Sequence, residues 1–178
     1  MRVKTQQTQR DSLDAWLEKT KDALPGVDLT VEGIVDRIHA LRKYFVRSQE
    51  ETLRELGLGY AEWDVVRTLR LAGEPYRLSP GRLSERAKLS SGAMTNRLDR
   101  LEESGLVRRL PDPDDRRALQ IELTPAGRDV WDRFLALQGA KESELAAALD
   151  AAEQEQLNDL LRRLMLAFER GEREPDSS

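Results

Sequence analysis

The sequence contains no cysteine and only one histidine, His39, among its 178 residues. The absence of cysteine excludes disulfide bonds, thiol catalysis and thiol-based redox sensing. A zinc site is not expected, because zinc is held mainly by thiolate and imidazole ligands, and no cofactor is predicted. The motifs of serine hydrolases, P-loop nucleotidases and zinc peptidases are also missing, so we do not predict an enzyme.

Long apolar runs are missing as well. No segment approaches the roughly 18 consecutive apolar residues of a transmembrane helix, and the polar N-terminus lacks the apolar core of a signal peptide. With 39% hydrophobic and 35% charged residues, the composition is typical of a helical, soluble protein with a single core. We therefore expect a cytoplasmic protein that does not associate with membranes.

The segment between Ser79 and Gly105 predicts two consecutive helices. Ser79 offers a capping hydroxyl, and Pro80 suits the first helical position because it needs no partner for an N–H group. Ser90 and Ser91 can cap the second helix. Gly105 is expected to end that helix, since glycine readily adopts the positive φ of a C-terminal cap.

Two short runs, residues 106–110 and 118–123, follow these helices and predict a β-hairpin. The second run alternates Leu119, Ile121 and Leu123 with polar residues, which is the period of a half-buried strand. Between the runs, the sequence PDPDDRR favours a turn with a charged tip. Together these elements predict a mainly α fold with a small β-hairpin wing. This is a winged helix-turn-helix, whose second helix enters the major groove of double-stranded DNA.

These residues resemble the multiple antibiotic resistance regulator (MarR) family. The resemblance rests on the runs SSGAMTNRLDRLEESGLVRR and DPDDRRALQIELTPAG, and on a D-x-R wing motif at Asp115, Arg116 and Arg117. It covers about residues 30–168. It implies a dimeric transcription factor with N- and C-terminal dimerisation helices, usually a repressor that a small ligand releases from DNA.

Helical periodicity on either side of the winged domain divides the chain into five segments. The predicted segments are residues 1–29 as an N-terminal extension with one extra helix, 30–56 as a long helix capped by Thr30, 57–124 as the winged DNA-binding domain, 125–170 as C-terminal dimerisation helices and 171–178 as a disordered tail.

The last helix carries an apolar stripe that a small DNA-binding domain cannot cover alone. Its members are Leu157, Leu160, Leu161, Leu164, Met165 and Phe168. We interpret this stripe and that of the helix before it (Val130, Trp131, Phe134 and Leu135), together with residues of the long helix, as the interface of a homodimer, because a palindromic operator needs a two-fold protein. The alternative is that these side chains are buried within one subunit.

Helical phase separates two faces of the second helix of the winged domain. Met94, Leu98 and Leu101 define its buried side at about 100° per residue. Asn96 suits adenine and Arg100 suits guanine or a phosphate, while the helix N-terminus suits a phosphate. The predicted DNA-binding residues of this helix are Ser90, Ser91, Gly92, Thr95, Asn96 and Arg100.

The family resemblance implies that Arg117 of the wing enters the minor groove and that Asp115 orients its guanidinium group. Arg116 is at most a phosphate contact. The net charge of −4 is unevenly spread, because residues 141–178 carry −5 and residues 1–140 carry +1. The electrostatic indication for DNA binding is therefore weaker than the motif, and a flexible charged hairpin tip is the alternative for the wing.

The extra N-terminal helix makes the chain similar to the urate-responsive branch of the family. That resemblance implies a ligand site of Trp16, Asp64 and Arg97, in which indole stacks, guanidinium binds anionic oxygen and carboxylate accepts from a ring N–H. Arg97 lies about 60° from the centre of its helix's apolar side, so it points towards the protein body. The branch tends to carry a fourth polar ligand just past the third helix, where this sequence has Ala72 and Gly73.

Several alternatives stay open from the sequence. Trp16 would merely anchor its helix, or Arg97 would pair with Asp64 without any ligand. The whole chain would be a protein-interaction module, or a constitutive DNA-binding factor without ligand control. The leading interpretation is a repressor that binds operator DNA as a homodimer and is released by urate or an aromatic carboxylate.

Overall fold

A computed structural model describes residues 10–23, 25–113, 115 and 118–173 of the chain. In chain order the described residues form α1 (Ser12–Thr20), a short 3-10 turn (Lys21–Ala23), α2 (Leu29–Glu55), α3 (Tyr60–Leu71), β1 (Arg77–Leu78), α4 (Pro80–Arg86), α5 (Ser91–Glu103), β2 (Val107–Pro111), β3 (Leu119–Leu123), α6 (Pro125–Ala146) and α7 (Ala151–Arg173). The mainly helical chain with one small antiparallel sheet confirms the predicted winged helix-turn-helix fold class.

Side-chain caps fix where the N-terminal helices begin. Asp11 starts α1, and its carboxylate forms a capping box with Asp14. The carboxylate of Asp28 accepts the N–H groups of Thr30 at 2.8 Å and Val31 at 3.3 Å, so α2 begins at Leu29. The prediction that Thr30 caps this helix was wrong, because Asp28 lies two residues earlier and already satisfies the free N–H groups.

The caps of the winged domain agree with the sequence. The hydroxyl of Ser90 accepts from the Ala93 N–H at the start of α5, and that of Thr124 accepts from the Gly127 N–H at the start of α6. Gly105 follows α5 with φ of +72°, as expected for a helix-ending glycine.

The C-terminal helix is longer than predicted. Helix α7 continues to Arg173, so residues 171–173 are helical and do not belong to a tail. Residues 174–178 lie outside the described residues. Among the helices that the structure describes, none has the length and apolar character needed to cross a membrane.

The sheet contains a strand that the sequence did not predict. Strand β1 pairs with β3, which also pairs with β2, so the order is β1-β3-β2 and all pairs are antiparallel. The expected alternation along β3 was only partly right. Ile121, Glu122 and Leu123 are all buried, whereas Leu119 is 45% exposed. Glu122 is buried because β3 is the central strand and arginines from both neighbours cover its carboxylate.

The core lies where α5 packs against α3 and the sheet. Met94, Leu98 and Leu101 form the buried side of α5, as predicted, and none is more than 2% exposed. Trp63 of α3 stacks on Trp131 of α6, with ring centroids 5.2 Å apart. These contacts join the winged domain to α6 within one continuous core.

Two helices expose apolar side chains instead of burying them in this core. On α7 the predicted stripe is 42–58% exposed at every position. Helix α2 exposes a second stripe through Ile34, Val35, Ile38, Leu41 and Phe45. Burial within one subunit, the alternative to a dimer interface, is therefore not what the stripes of α2 and α7 adopt. The stripe of α6 differs, because Phe134 is 6% exposed and packs in the core together with Val130 and Trp131.

Gly127 provides a test of the packing between α6 and the wing. A Cβ atom at this position would overlap the carbonyl oxygen of Leu106 and the side chain of Leu123. We expect Gly127→Ala to lower the free energy of unfolding by about 1–3 kcal/mol, as overpacking does. Chemical denaturation followed by circular dichroism measures the change.

Gly139 of the same helix is the matched control, because no described atom lies within 4 Å of its added Cβ. Gly139→Ala should leave stability unchanged or raise it by up to about 1 kcal/mol, since alanine favours the helix. Equal stability of Gly127→Ala and the wild type would contradict the close approach.

Candidate DNA interface and ligand site

Helix α5 presents a polar face opposite its buried side. Ser91, Gly92, Thr95, Asn96 and Arg100 are all exposed, and the capping residue Ser90 is exposed at the N-terminal end. The face therefore offers amide, hydroxyl and guanidinium groups to a partner, which are the groups that read base edges and phosphates.

Arg100 contributes a cation to this face, and its side chain is 75% exposed. Its guanidinium lies 3.4 Å from the carboxylate of Glu62 on α3. A contact of that length and exposure is weak. Arg100 can therefore exchange Glu62 for a DNA phosphate or base at little cost.

Arg109 of β2 fixes the orientation of the wing relative to α5. Its guanidinium binds Asp99 at 2.5 Å and also Glu102 of α5. The Arg109 backbone N–H donates to the Glu102 carboxylate as well, at 3.0 Å. The hydrogen bond to Asp99, followed by that to Glu102, raises the pKa of Arg109. This cluster ties the two candidate DNA-binding elements together.

Glu122 holds the three strands together at the base of the wing. Arg77 of β1 and Arg108 of β2 stand directly opposite it in the register. Arg77 donates to its carboxylate at 2.9 Å, and Arg108 binds the other oxygen. The hydrogen bond from Arg108, reinforced by that from Arg77, lowers the pKa of Glu122 despite its burial.

The turn of the wing is only partly described. Asp115 lies in this turn, where its N–H donates to Asp112 and its carbonyl accepts from the Ala118 N–H. Arg116 and Arg117 lie outside the described residues, so their predicted phosphate and minor-groove contacts stay predictions.

The structure brings two of the three predicted ligand residues onto neighbouring helices. Asp64 lies on α3 and Arg97 on α5, and these helices pack together. Trp16 lies on α1, which packs against α2, and its side chain is 44% exposed. A salt bridge of Arg37 to Asp14 at 2.7 Å helps to fix α1 on α2.

Asp64 and Arg97 do not form a salt bridge with each other, which was the alternative to a ligand site. Asp64 binds Arg67 of its own helix at 2.8 Å. Arg97 is half-buried and has no ion-pair partner among the residues that the structure describes. A half-buried guanidinium without a carboxylate favours binding of an anion.

Sequence reasoning missed the bracing residues Arg109 and Glu122. Arg109 looked like one charge among many in a basic and acidic stretch. Glu122 occupied an apparently polar position of an alternating strand. Only the register places Glu122 between two arginines, and no local pattern marks that pairing.

Comparison with known proteins agrees with this geometry. The model of the MarR family matches residues 56–118. The multiple antibiotic resistance protein MarR of Escherichia coli is 31% identical over 129 residues, which cover 72% of this chain and 88% of that protein. The transcriptional regulator PecS of Dickeya dadantii is 26% identical over 148 residues, which cover 83% and 89% of the two chains.

Solved structures show the same fold. The YusO protein from Bacillus subtilis superposes with a TM-score of 0.72 at 25% identity, covering 80% of this chain and 99% of that one. A cysteine-to-serine mutant of MarR from E. coli, complexed with operator DNA, has a TM-score of 0.54 at 30% identity, covering 78% and 99%.

The exposed helix face, the braced wing and the shared fold define a winged helix-turn-helix DNA-binding protein. The chain belongs to the MarR family of transcriptional regulators. Its relatives are regulators, which confirms the prediction that the chain is not an enzyme.

Glu122 gives a pH-dependent test of the wing. We expect Glu122→Gln to lower the free energy of unfolding by about 1–2 kcal/mol at pH 7, a value limited because Arg77 and Arg108 are 40% and 57% exposed. A carboxylate with a lowered pKa stabilises the fold fully above its ordinary pKa of 4.5 and loses this effect as the pH falls further.

The difference between wild type and Glu122→Gln should therefore shrink below pH 4.5. Urea denaturation at a series of pH values measures it. Glu103→Gln serves as the control, because that side chain on α5 is exposed. A difference that stays constant across this range would refute the ionic role of Glu122.

Proposed function

We propose that this chain is a repressor that binds a palindromic operator as a homodimer and is released by a small anionic aromatic ligand, with urate as the first candidate. Aromatic carboxylates are the second candidate. The proposal rests on the guanidinium of Arg97, which is half-buried and has no ion-pair partner among the described residues, on the helix whose exposed side would face DNA.

The proposed DNA contacts follow from the exposed face of α5 and from the family. Asn96 and Arg100 would read bases or bind phosphates, and Thr95 would lie at their flank. Ser90, Ser91 and Gly92 would place the helix N-terminus against a phosphate. In the wing, Arg117 would enter the minor groove with Asp115 orienting it, and Arg116 would contact a phosphate.

The proposed dimer is supported by the apolar stripes of α2 and α7. Contiguous exposed apolar surface of this kind marks an interaction surface. Two copies of the chain would bury the stripes and set the two α5 helices for successive major grooves, which lie about 34 Å apart.

The proposed ligand site unites Trp16, Asp64 and Arg97. Arg97 would bind the anionic oxygen, Asp64 would leave Arg67 to accept from a ring N–H, and Trp16 would stack on the ring. Because Arg97 belongs to α5, a ligand that grips it can rotate the DNA-reading face. The ligand must bind the DNA-incompetent state better, or it shifts nothing.

Leu164 tests the assembly. We expect Leu164→Asp to raise the dissociation constant of the dimer by at least about tenfold, because an unpaired carboxylate would be buried at the interface. Light scattering over a concentration series measures the change. Leu166→Asp is the matched control, since Leu166 lies on the opposite side of α7 at about 100° per residue. A stable, folded dimer of Leu164→Asp would place the interface elsewhere.

Urate tests the switch. In a gel shift with the promoter of its own gene, urate should release wild-type protein, whereas Trp16→Ala and Asp64→Ala should bind DNA but resist release. A tenfold loss of operator affinity needs a coupling of about 1.4 kcal/mol, which is within the usual range.

Four outcomes of this titration would lead to different conclusions. Equal release of wild type and Trp16→Ala would remove Trp16 from the site. Release by salicylate but not by urate would select the aromatic carboxylates. Operator binding that no ligand changes would favour a constitutive factor, and no operator binding at all would favour the protein-interaction module.

A further inference from the structure

A cavity lies at the base of the wing, and none of the predicted ligand residues lines it. It has a volume of about 510 Å³, and Arg70, Tyr76 and Arg128 contribute to its wall. These three residues come from the last turn of α3, the connection to β1 and the first turns of α6. We call it the wing-base cavity.

Two guanidinium groups converge on one aromatic ring in this cavity. The guanidinium carbon of Arg70 lies 4.7 Å from the centroid of the Tyr76 ring, and that of Arg128 lies 5.9 Å away. Neither arginine has an ion-pair partner among the described residues. Two unpaired cations beside one ring repel each other, and an anion between them removes the repulsion.

Arg70 gives a second, independent indication that the cavity binds an anion. Its Nε–H group is buried and has no hydrogen-bond partner in the described part of the chain. A buried donor without an acceptor is costly. An oxygen atom of a bound group would satisfy it.

The backbone of Tyr76 is also unusual. Its φ is +61°, a left-handed value that a bulky residue rarely adopts. The Tyr76 carbonyl accepts from the Leu123 N–H at 3.1 Å, and its own N–H donates to Gly73 at 2.7 Å. The left-handed backbone thus fixes the position of a ring that lies near both arginines, and strain of this kind is concentrated at functional sites.

Four carboxylates, from Glu74, Glu122, Asp129 and Asp132, also line the cavity, so a bound anion must be held by direct contact with the two guanidinium groups. Glu122 is neutralised by Arg77 and Arg108, and Glu74 accepts from the Tyr76 hydroxyl at 3.3 Å. Asp129 and Asp132 are exposed to water, whereas both arginines of the cavity are half-buried. Among the described residues, no three carboxylates cluster closely enough to hold a metal ion.

DNA is not the expected occupant. Tyr76 contacts Leu123 at the end of β3, and the turn of the wing precedes Leu119 at its other end. The cavity is concave, and its volume lies in the range of about 300–1,000 Å³ that is typical of small-molecule sites.

We propose that the wing-base cavity binds a small oxyanion, a carboxylate or phosphate group carried on an aromatic ring. The two guanidinium groups bind the oxygens, with the Arg70 Nε–H as one donor. The ring of the ligand packs beside Tyr76. This site is separate from the one proposed at Arg97, and it does not depend on it.

Calorimetric titration of the full chain tests the proposal. Benzoate and phenyl phosphate should both bind, and inorganic phosphate should bind more weakly because it lacks the ring. Which of the first two binds more tightly identifies the anionic group. Benzylamine, the charge-reversed probe, should not bind.

Arginine variants locate the binding. Arg70→Gln and Arg128→Gln should each weaken the benzoate affinity by about tenfold or more, the loss expected for a charge-assisted contact. Arg133→Gln, an exposed arginine of α6 outside the cavity, should bind as the wild type does. If Arg70→Gln does not fold by circular dichroism, Arg128→Gln decides.

A further variant separates the two proposed sites. Trp16→Ala should keep the benzoate binding that depends on Arg128. If Trp16→Ala lost benzoate binding while Arg128→Gln kept it, the measured heat of binding would come from the Arg97 site. That result would overturn the proposal. Binding of benzylamine in place of benzoate, or of no oxyanion at all, would overturn it as well.

Discussion

The junction between the end of α5 and the start of α6 is the constraint on which the winged domain depends. The Thr124 hydroxyl donates to the carbonyl of Gly105 at 2.7 Å, and the Thr124 N–H donates to that of Leu106 at 3.0 Å. Gly127 then lies so close to Leu106 that a side chain has no room. The end of the DNA-facing helix, both ends of the hairpin and the start of α6 therefore meet within one rigid contact.

Elements near this junction differ in whether local sequence signals or long-range packing specify them. The end of α5 at Gly105 and the start of α6 at Thr124 were predictable, because caps act through neighbouring backbone groups. The buried side of α5 was predictable from its period. Strand β1 was not, because its two residues carry no alternation and exist as a strand only through pairing with β3.

The candidate site was predictable to a similar extent. The exposed face of α5 followed from helical phase, as the exposure of Asn96 and Arg100 confirms. The ion pairs of Arg109 and Glu122 depend on the strand register and on the distance between β2 and α5. Neither can be predicted from a single sequence. The partner of Asp64 was also not predictable, because Arg67 of the same helix competes with more distant cations such as Arg97 for its carboxylate.

The braces also account for the weak overall charge of a DNA-binding domain. Arg77, Arg108 and Arg109 neutralise carboxylates that position the wing. These arginines therefore stabilise the structure more than they add to the positive electrostatic potential of the surface. Among the proposed DNA contacts on α5, the cation left for DNA is Arg100, whose contact with Glu62 is weak. Affinity for phosphates follows the number of cations that release counterions, not the total count of arginines.

Rigid bracing of this kind determines how a ligand can act. The wing and α5 are joined through Arg109, and both are joined to α6 at the Thr124 junction, so we expect them to move together. A ligand on either Arg97 or the wing base therefore cannot simply loosen one DNA contact. In the proposed dimer it would have to favour a different angle between the two subunits, which meet through the exposed apolar stripes of α2 and α7. In a dimer joined by these stripes, a small rotation of each body changes the separation of the two α5 helices, and two half-sites one helical turn apart no longer match. Under the proposed function, assembly through the apolar stripes is a condition for ligand control, because in a single subunit the same rotation would leave the fit of α5 to one groove unchanged.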